Sequence, residues 1–189
     1  MNERRFDPAK MARLDNPERR KALPPEKLLQ EFNLEPDDDV LDLGAGTGYF
    51  TLPAAKMTQG TIYALDVESQ MLGVLMERTD EEALMNVQFV QGVIEDIPMD
   101  PEKVDKAIAS FVLHEVEPLS KGLEEIKRVL KPSGRCLCIE WEKKPMEQGP
   151  PLEHRIHSDD MKKAFEEHGF SVISTTFPSD SHYVIIAQK

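Results

Sequence analysis

The chain has 189 residues, 40% of them hydrophobic and 31% charged, with 35 Asp and Glu against 23 Lys and Arg. That length suits one domain with a full-sized core, and a formal charge of −12 opposes binding to a phosphate backbone over a broad surface. The longest uncharged apolar run, from Ala107 to Leu113, falls far short of the ~20 residues a membrane-spanning helix needs. The opening MNERRFDPAK has no apolar signal core, so a cytoplasmic protein with neither a nucleic-acid nor a membrane partner is expected.

Residues 1–35 stand apart from the rest and read as an N-terminal helical arm or as a lid over a pocket. The stretch RRFDPAKMARLDNPERRKAL is basic and broken by Pro8 and Pro17, whereas Pro25 can start a helix with Leu28, Leu29 and Phe32 on one face. Residues 36–189 are expected to form a single domain without internal repeats. Seven β-rich runs follow one another there: Val40 to Leu43, Thr61 to Asp66, Val87 to Gln91, Asp105 to Ser110, Arg135 to Trp141, Phe170 to Thr176 and His182 to Ala187. Runs such as AIAS and CLCI are apolar throughout rather than alternating, as in strands covered on both faces by helices. The fold class is therefore α/β with a mostly parallel sheet.

Helices fill the gaps. Ser69 precedes Met71, Leu72, Leu75 and Met76, read as a core stripe. Pro118 opens a segment with Leu119, Leu123, Ile126 and Leu130 at helical spacing, stopped by Lys131-Pro132-Ser133-Gly134. Ser158 is placed to cap the next helix, Asp159 and Asp160 suit its positive end, Met161 and Phe165 share a face, and Gly169 ends it. Cys136 and Cys138 fall on one face of a strand, too close along the chain for an ordinary disulfide, and read as reduced core residues.

The chemistry concentrates at Val40-Leu41-Asp42-Leu43-Gly44-Ala45-Gly46-Thr47-Gly48-Tyr49-Phe50. An apolar strand runs through three alternating glycines into a helix starting near Phe50, which lets the backbone turn tightly and a ligand approach it. The dinucleotide fingerprint G-x-G-x-x-G/A needs a small residue where Tyr49 stands. A carboxylate at Asp42, just ahead of the turn, repels a pyrophosphate and suits a cation or a hydroxyl-bearing ligand. One helix and one strand later, Asp66 can accept both hydrogens of a ribose diol or cap the helix that starts near Ser69.

These residues resemble the class I S-adenosylmethionine-dependent methyltransferases, in particular the small-molecule type of quinone-biosynthesis C-methyltransferases. From Pro36 onward the segments VLDLGAGTGYF, IYALDVESQML, VQFVQGVIEDIP, VDKAIASFVLHEV and RVLKPSGRCLCIEW are similar, in order, to the family's successive motifs. The resemblance implies a Rossmann-like sheet of order 3-2-1-4-5-7-6 with the last strand antiparallel, and S-adenosylmethionine as cofactor. It implies that Asp42, Gly44, Ala45, Gly46 and Gly48 surround the amino-acid portion and sulfonium, that Asp66 takes the ribose hydroxyls, and that Val67 and Glu68 lie beside ribose and adenine. Where the family often has an acid for the adenine amino group this chain has Val93, leaving adenine to backbone of Val93 and Ile94, to apolar packing or to Glu95.

Ligands of parallel sheets sit beyond the carboxyl ends of the strands, so Phe111 to Glu115 should face the methyl donor. His114 is the first candidate base and Glu115 the second, while Glu140 and Trp141 would shape the acceptor pocket. In the loop Gly149-Pro150-Pro151-Leu152-Glu153-His154-Arg155-Ile156-His157, Arg155 is a candidate for an anionic acceptor and His154 or His157 for a proton; no metal site is expected. The function so read is in-line methyl transfer to a small-molecule acceptor. Alternatives are a cofactor-binding protein without catalysis, a macromolecular acceptor, and, less favoured, a nicotinamide-dependent oxidoreductase or a methyltransferase acting on arsenic or thiols. The residues carry no signal of oligomeric state.

Overall fold

In a computed structural model, which describes residues 16–189, the strands are β1 (Val40–Leu43), β2 (Ile62–Asp66), β3 (Val87–Gln91), β4 (Val104–Ser110), β5 (Leu130–Trp141), β6 (Ser171–Ser179) and β7 (His182–Gln188). The helices are α1 (Pro17–Ala22), α2 (Pro25–Glu31), α3 (Thr51–Met57), α4 (Ser69–Glu81), α5 (Leu119–Val129) and α6 (Ser158–Glu167), with short 3₁₀ turns at Leu113–Glu115 and Leu152–His154. The sheet runs β3-β2-β1-β4-β5-β7-β6. β1 to β5 are parallel, and β7 lies antiparallel between β5 and β6. This is the Rossmann-like order expected from the motifs.

Continuous burial along the central strands has a simple origin: each face meets helices. Leu41, Leu43, Ala107, Ala109, Cys136 and Cys138 pack with Leu123 and Ile126 of α5 and Met161 and Phe165 of α6. The residues between them, Val40, Ile108, Leu137 and Ile139, pack on the other side with Leu28, Leu29, Phe32 and Ala54. Both cysteines are free and buried, and burial pushes the Cys136 thiol up to about 12 and the Cys138 thiol well above its ordinary value, which disfavours the reactive thiolate at both. α2 is thus a fixed part of the core; truncating Leu29 or Phe32 to Ala would cost about 2–5 kcal/mol.

Four local expectations need correction or limits. Met76 is not core but 47% exposed, because it lies at the edge of the stripe formed by Met71, Leu72 and Leu75. His157, not Ser158, caps α6: its ring accepts the Asp159 N–H at 3.2 Å. The Lys131–Gly134 segment does end α5, but β5 already begins at Leu130. Its pairing jumps from Val104↔Leu130 to Lys106↔Arg135, with Ser133 at φ 63 in the bulge between. Pro8 lies outside the described residues.

Candidate cofactor and acceptor site

The carboxyl ends of β1 to β5 open into one cleft of about 1000 Å³, room enough for a nucleoside-sized ligand and a second small molecule. Its first half surrounds the glycine turn. Gly44, Gly46 and Gly48 all have positive φ, at 65, 53 and 97°, which side-chain-bearing residues adopt only with strain. A Cβ on Gly44 would stand 2.7 Å from Val112 Cγ2, and one on Gly48 2.5 Å from Leu75 Cδ1. These two glycines therefore admit neighbouring protein, a role the sequence reading had given to the ligand.

Asp66 ends β2 and fixes this turn. Its Oδ2 accepts the Gly46 N–H at 2.8 Å and its Oδ1 the Glu68 N–H at 2.9 Å, so it both braces the glycine turn and supports the entry to α4. It also lines the cleft. Burial pushes its pKa up, against these backbone hydrogen bonds. Asp42, 3% exposed, accepts the Thr51 hydroxyl at 2.6 Å. Burial raises its pKa to about 7, the Thr51 bond opposing the rise and Asp66 adding to it.

The chemistry of this half fits the cofactor that the motifs imply. Thr47 Oγ1 is buried on the cleft wall with no hydrogen-bond partner, a cost that a polar ligand group would remove. The surrounding acids suit a ligand with positive charge and hydroxyls. Ala45, Val67, Glu68, Val93, Ile94 and Glu95 line the same wall. The Val93 carbonyl accepts the Asp96 N–H at 3.3 Å, and Val93 and Ile94 stand beside Glu95 on this wall.

The second half is made of side chains from β4, β5 and β7. Beyond Ser110 the chain passes through Phe111 at φ 57, whose N–H donates to the Ile139 carbonyl at 2.8 Å, and enters the turn bearing His114. Glu140, 1% exposed at the end of β5, holds that histidine twice: Oε1 accepts its backbone N–H at 3.2 Å, and Oε2 lies 2.8 Å from Nδ1. Nδ1 carrying the proton leaves Nε2 with the lone pair, 3.9 Å from Glu115 Oε1. Burial works against the charged imidazole, but Glu140 and then Glu115 outweigh it, and the His114 pKa lies above its ordinary value. Glu140 does not line the cleft; the expectation that it shapes the acceptor pocket is corrected to that of a buried partner behind His114.

Phe111, Trp141 and His182 close this end, with ring centroids 5.3 Å apart for Phe111–Trp141 and 4.3 Å for Trp141–His182. His182 was not singled out in the sequence. Burial, with Arg19 adding, lowers its pKa to about 4, so it is a neutral ring at physiological pH. A signal did exist: in a sheet whose last strand is antiparallel, it is the start of that strand that reaches the ligand edge, and His182 pairs with Trp141.

The proline loop is placed differently from its reading. The Arg155 guanidinium donates to the carbonyls of Pro150 at 2.8 Å, Lys144 at 2.9 Å and Gln148 at 2.6 Å. It staples the loop, and is absent from the walls of the main cleft. Three of its five N–H donors are thereby taken by the loop's own carbonyls, and the guanidinium does not face the cleft where an acceptor would sit. His157 is engaged in capping α6, whereas His154, Pro150 and Pro151 do line the cleft. Among the described residues no group of three or more His, Cys, Asp or Glu is arranged to hold a metal ion.

Residues 34–172 match the family model described as a methyltransferase domain. The crystal structure of a SAM dependent methyltransferase from Aquifex aeolicus superposes with a TM-score of 0.91 at 32% identity, covering 97% of this chain and 99% of that one. The ubiquinone/menaquinone biosynthesis C-methyltransferase UbiE of Brucella anthropi is 38% identical over 104 residues, 53% of this chain and 40% of that protein. The Vibrio parahaemolyticus protein of the same name is 34% identical over 115 residues, 59% of this chain and 44% of that protein. The chain thus spans about two fifths of the length of these curated relatives. The [4+2]-cyclase SpnF, with a TM-score of 0.79 at 18% identity over 89% of this chain and 80% of that one, shares the fold alone.

Proposed function

The chain belongs to the class I S-adenosylmethionine-dependent methyltransferases, and from that premise we propose that it methylates a small, flat, largely apolar acceptor whose reacting atom gives up a proton to His114. One observation carries this reading: the half of the cleft beyond the glycine turn is walled by the rings of Phe111, Trp141 and His182 and contains a buried His114–Glu140 pair. Bound S-adenosylmethionine supplies a methyl group already activated on a positive sulfur. Gly44, Ala45 and Gly46 with Asp42, all on the cleft wall, would hold its amino-acid end, with Gly48 shaping the turn behind them rather than touching the ligand; Asp66 would hold its ribose, and Val67, Val93 and Ile94 the base.

The protein's own share is then placement and proton handling. Phe111 and Trp141 would orient a flat acceptor and exclude water, which concentrates the reaction on one geometry. Nε2 of His114 would receive the acceptor's proton as the new bond to the methyl carbon forms, and Glu140 stabilises the imidazolium that results. Glu115, near Nε2, is the second candidate for this role. The net charge of −12 supports an acceptor other than nucleic acid. No helix among the described residues is long and apolar enough to cross a membrane; a cytoplasmic reaction on a freely diffusing acceptor is our reading.

Incubation with S-adenosylmethionine labelled on the methyl group, against panels of quinols, phenols, amines and thiols, tests this proposal. Label is expected in aromatic hydroxyl-bearing acceptors. Binding of S-adenosylhomocysteine without label transfer to any acceptor would favour a cofactor-binding protein without catalysis.

A further inference from the structure

Tyr49 is the residue that breaks the dinucleotide fingerprint, and its place in the fold gives it a use. It is 6% exposed, directly follows the glycine turn, and donates its hydroxyl to the Leu23 carbonyl at the end of α1, 2.8 Å away. Its ring forms a seat for the α1 side chain Arg19, whose guanidinium carbon lies 3.8 Å from the ring centroid. The same guanidinium reaches Ser110 Oγ at 3.3 Å and lies 5.1 Å from the Phe111 ring. α1 is therefore laid across the ends of β1 and β4, and Asn16, Glu18, Arg19 and Ala22 all line the cleft.

Charge decides what Arg19 is for. Among the described residues lining the cleft it is the single Lys or Arg, facing Asp42, Asp66, Glu68, Glu95 and Glu115. S-adenosylmethionine carries two positive groups and one negative one, the α-carboxylate. An all-acid wall would attract the first two and repel the third. We propose that Arg19, carried on α1 and seated on Tyr49, binds the α-carboxylate of the cofactor, making the N-terminal arm the element that reads the cofactor's amino-acid end. This rests on the S-adenosylmethionine reading of the cleft. An anionic acceptor is the competing ligand, but the guanidinium lies closer to Tyr49, beside the glycine turn, than to the aromatic end at Phe111.

The test compares two ligands by calorimetry on the full chain: S-adenosylhomocysteine, and its decarboxylated analogue, which keeps the amine and thioether. Arg19→Gln should weaken S-adenosylhomocysteine by about 10- to 100-fold, the range of a charge-assisted hydrogen-bonded pair, and leave the decarboxylated analogue unchanged. Arg19→Lys should recover part of the loss. Equal weakening of both ligands would make α1 a mere cover and overturn the proposal. So would an unchanged affinity for S-adenosylhomocysteine accompanied by a raised KM for the acceptor. Absence of S-adenosylhomocysteine binding to the unaltered protein would instead defeat the cofactor reading itself. Unfolding in urea of each variant, expected to match the parent, separates a binding effect from damage to the fold.

Discussion

On the side of the cleft proposed for the cofactor, the main chain is the working surface and side chains exist to hold it. Three glycines at positive φ form the turn, and Asp66 spends both carboxylate oxygens on the N–H groups of Gly46 and Glu68. On the acceptor side the relation reverses. There the backbone merely delivers Trp141 and His182 from the ends of β5 and β7 and His114, backed by buried Glu140, from the turn after β4, and the rings and ionisable groups make the surface. A backbone-built site tolerates few changes in the residues that shape the turn, whereas a site built of side chains can change its chemistry one residue at a time. The first half therefore suits a constant cofactor and the second a variable acceptor.

The sharpest way to break this contrast is at the acceptor side. His114→Ala should lower kcat by about 10²–10⁴-fold, the range for loss of a positioned general base, with calorimetric affinity for S-adenosylhomocysteine unchanged. Undiminished turnover would remove His114 from the chemistry. In the parent, kcat should rise with pH as His114 loses its proton, through a pKa above the ordinary 6.5 because Glu140 and Glu115 outweigh the effect of burial. Glu140→Gln keeps an acceptor for Nδ1–H but removes the charge, so that limb of the profile should move to lower pH.

The turn offers the next largest effect. Gly48→Ala places a methyl group 2.5 Å from Leu75 Cδ1 and 3.0 Å from Leu52 Cγ, at φ 97. Strain and overpacking together should cost about 2–4 kcal/mol in urea unfolding. Unlike His114→Ala, this change should weaken cofactor binding and stability together. A stable Gly48→Ala protein with normal affinity would mean that the turn's shape matters less than its geometry indicates.

The same contrast explains what was legible in the sequence. The alternation of apolar and helical runs carried the sheet, because each strand's burial on two faces is written in contiguous residues such as CLCI. The turn from Asp42 to Gly48 and the acid at Asp66 were readable for a similar reason, since the constraint lies in backbone conformation at fixed spacing. The Glu140–His114 pair was not, because the two residues are joined only by the alignment of β5 beside β4. Arg155 was misread since a guanidinium on a proline loop looks the same whether it meets a ligand or three carbonyls. Arg19 depends on where α1 folds back, which has no local signature, whereas His182 opens the run already read as the last strand, and only the antiparallel direction of that strand had to be applied to place it at the ligand edge.

A smaller effect is expected from Asp66→Ala, which should weaken S-adenosylhomocysteine by about 1.5–3 kcal/mol if the carboxylate receives the ribose hydroxyls through charge-assisted bonds. Unchanged affinity would refute that role. Because Asp66 also braces Gly46 and Glu68, Asp66→Asn provides a sharper comparison: it leaves an acceptor for one backbone N–H while discharging the site. A loss with Asn close to that with Ala would assign most of the effect to the negative charge.

The mildest effect concerns pH and Asp42. Its pKa stands at about 7 instead of 3.8, chiefly through burial. Between those values the folded protein keeps a proton that the unfolded chain has released, so the Asp42 contribution to stability declines as pH rises from about 4 to 7. A ligand bringing positive charge beside Asp42 favours the ionised form and expels that proton. Affinity for S-adenosylmethionine should therefore rise with pH below 7, by at most about tenfold per pH unit, and level off above it. Calorimetry at pH 6 and pH 8 measures this, and Asp42→Asn should flatten the dependence. S-adenosylhomocysteine keeps the amine but lacks the sulfonium charge, so a shallower slope for it than for S-adenosylmethionine would place the sulfonium within reach of Asp42. Equal slopes would assign the effect to the amine, and equal affinity at both pH values would separate Asp42 from the cofactor altogether.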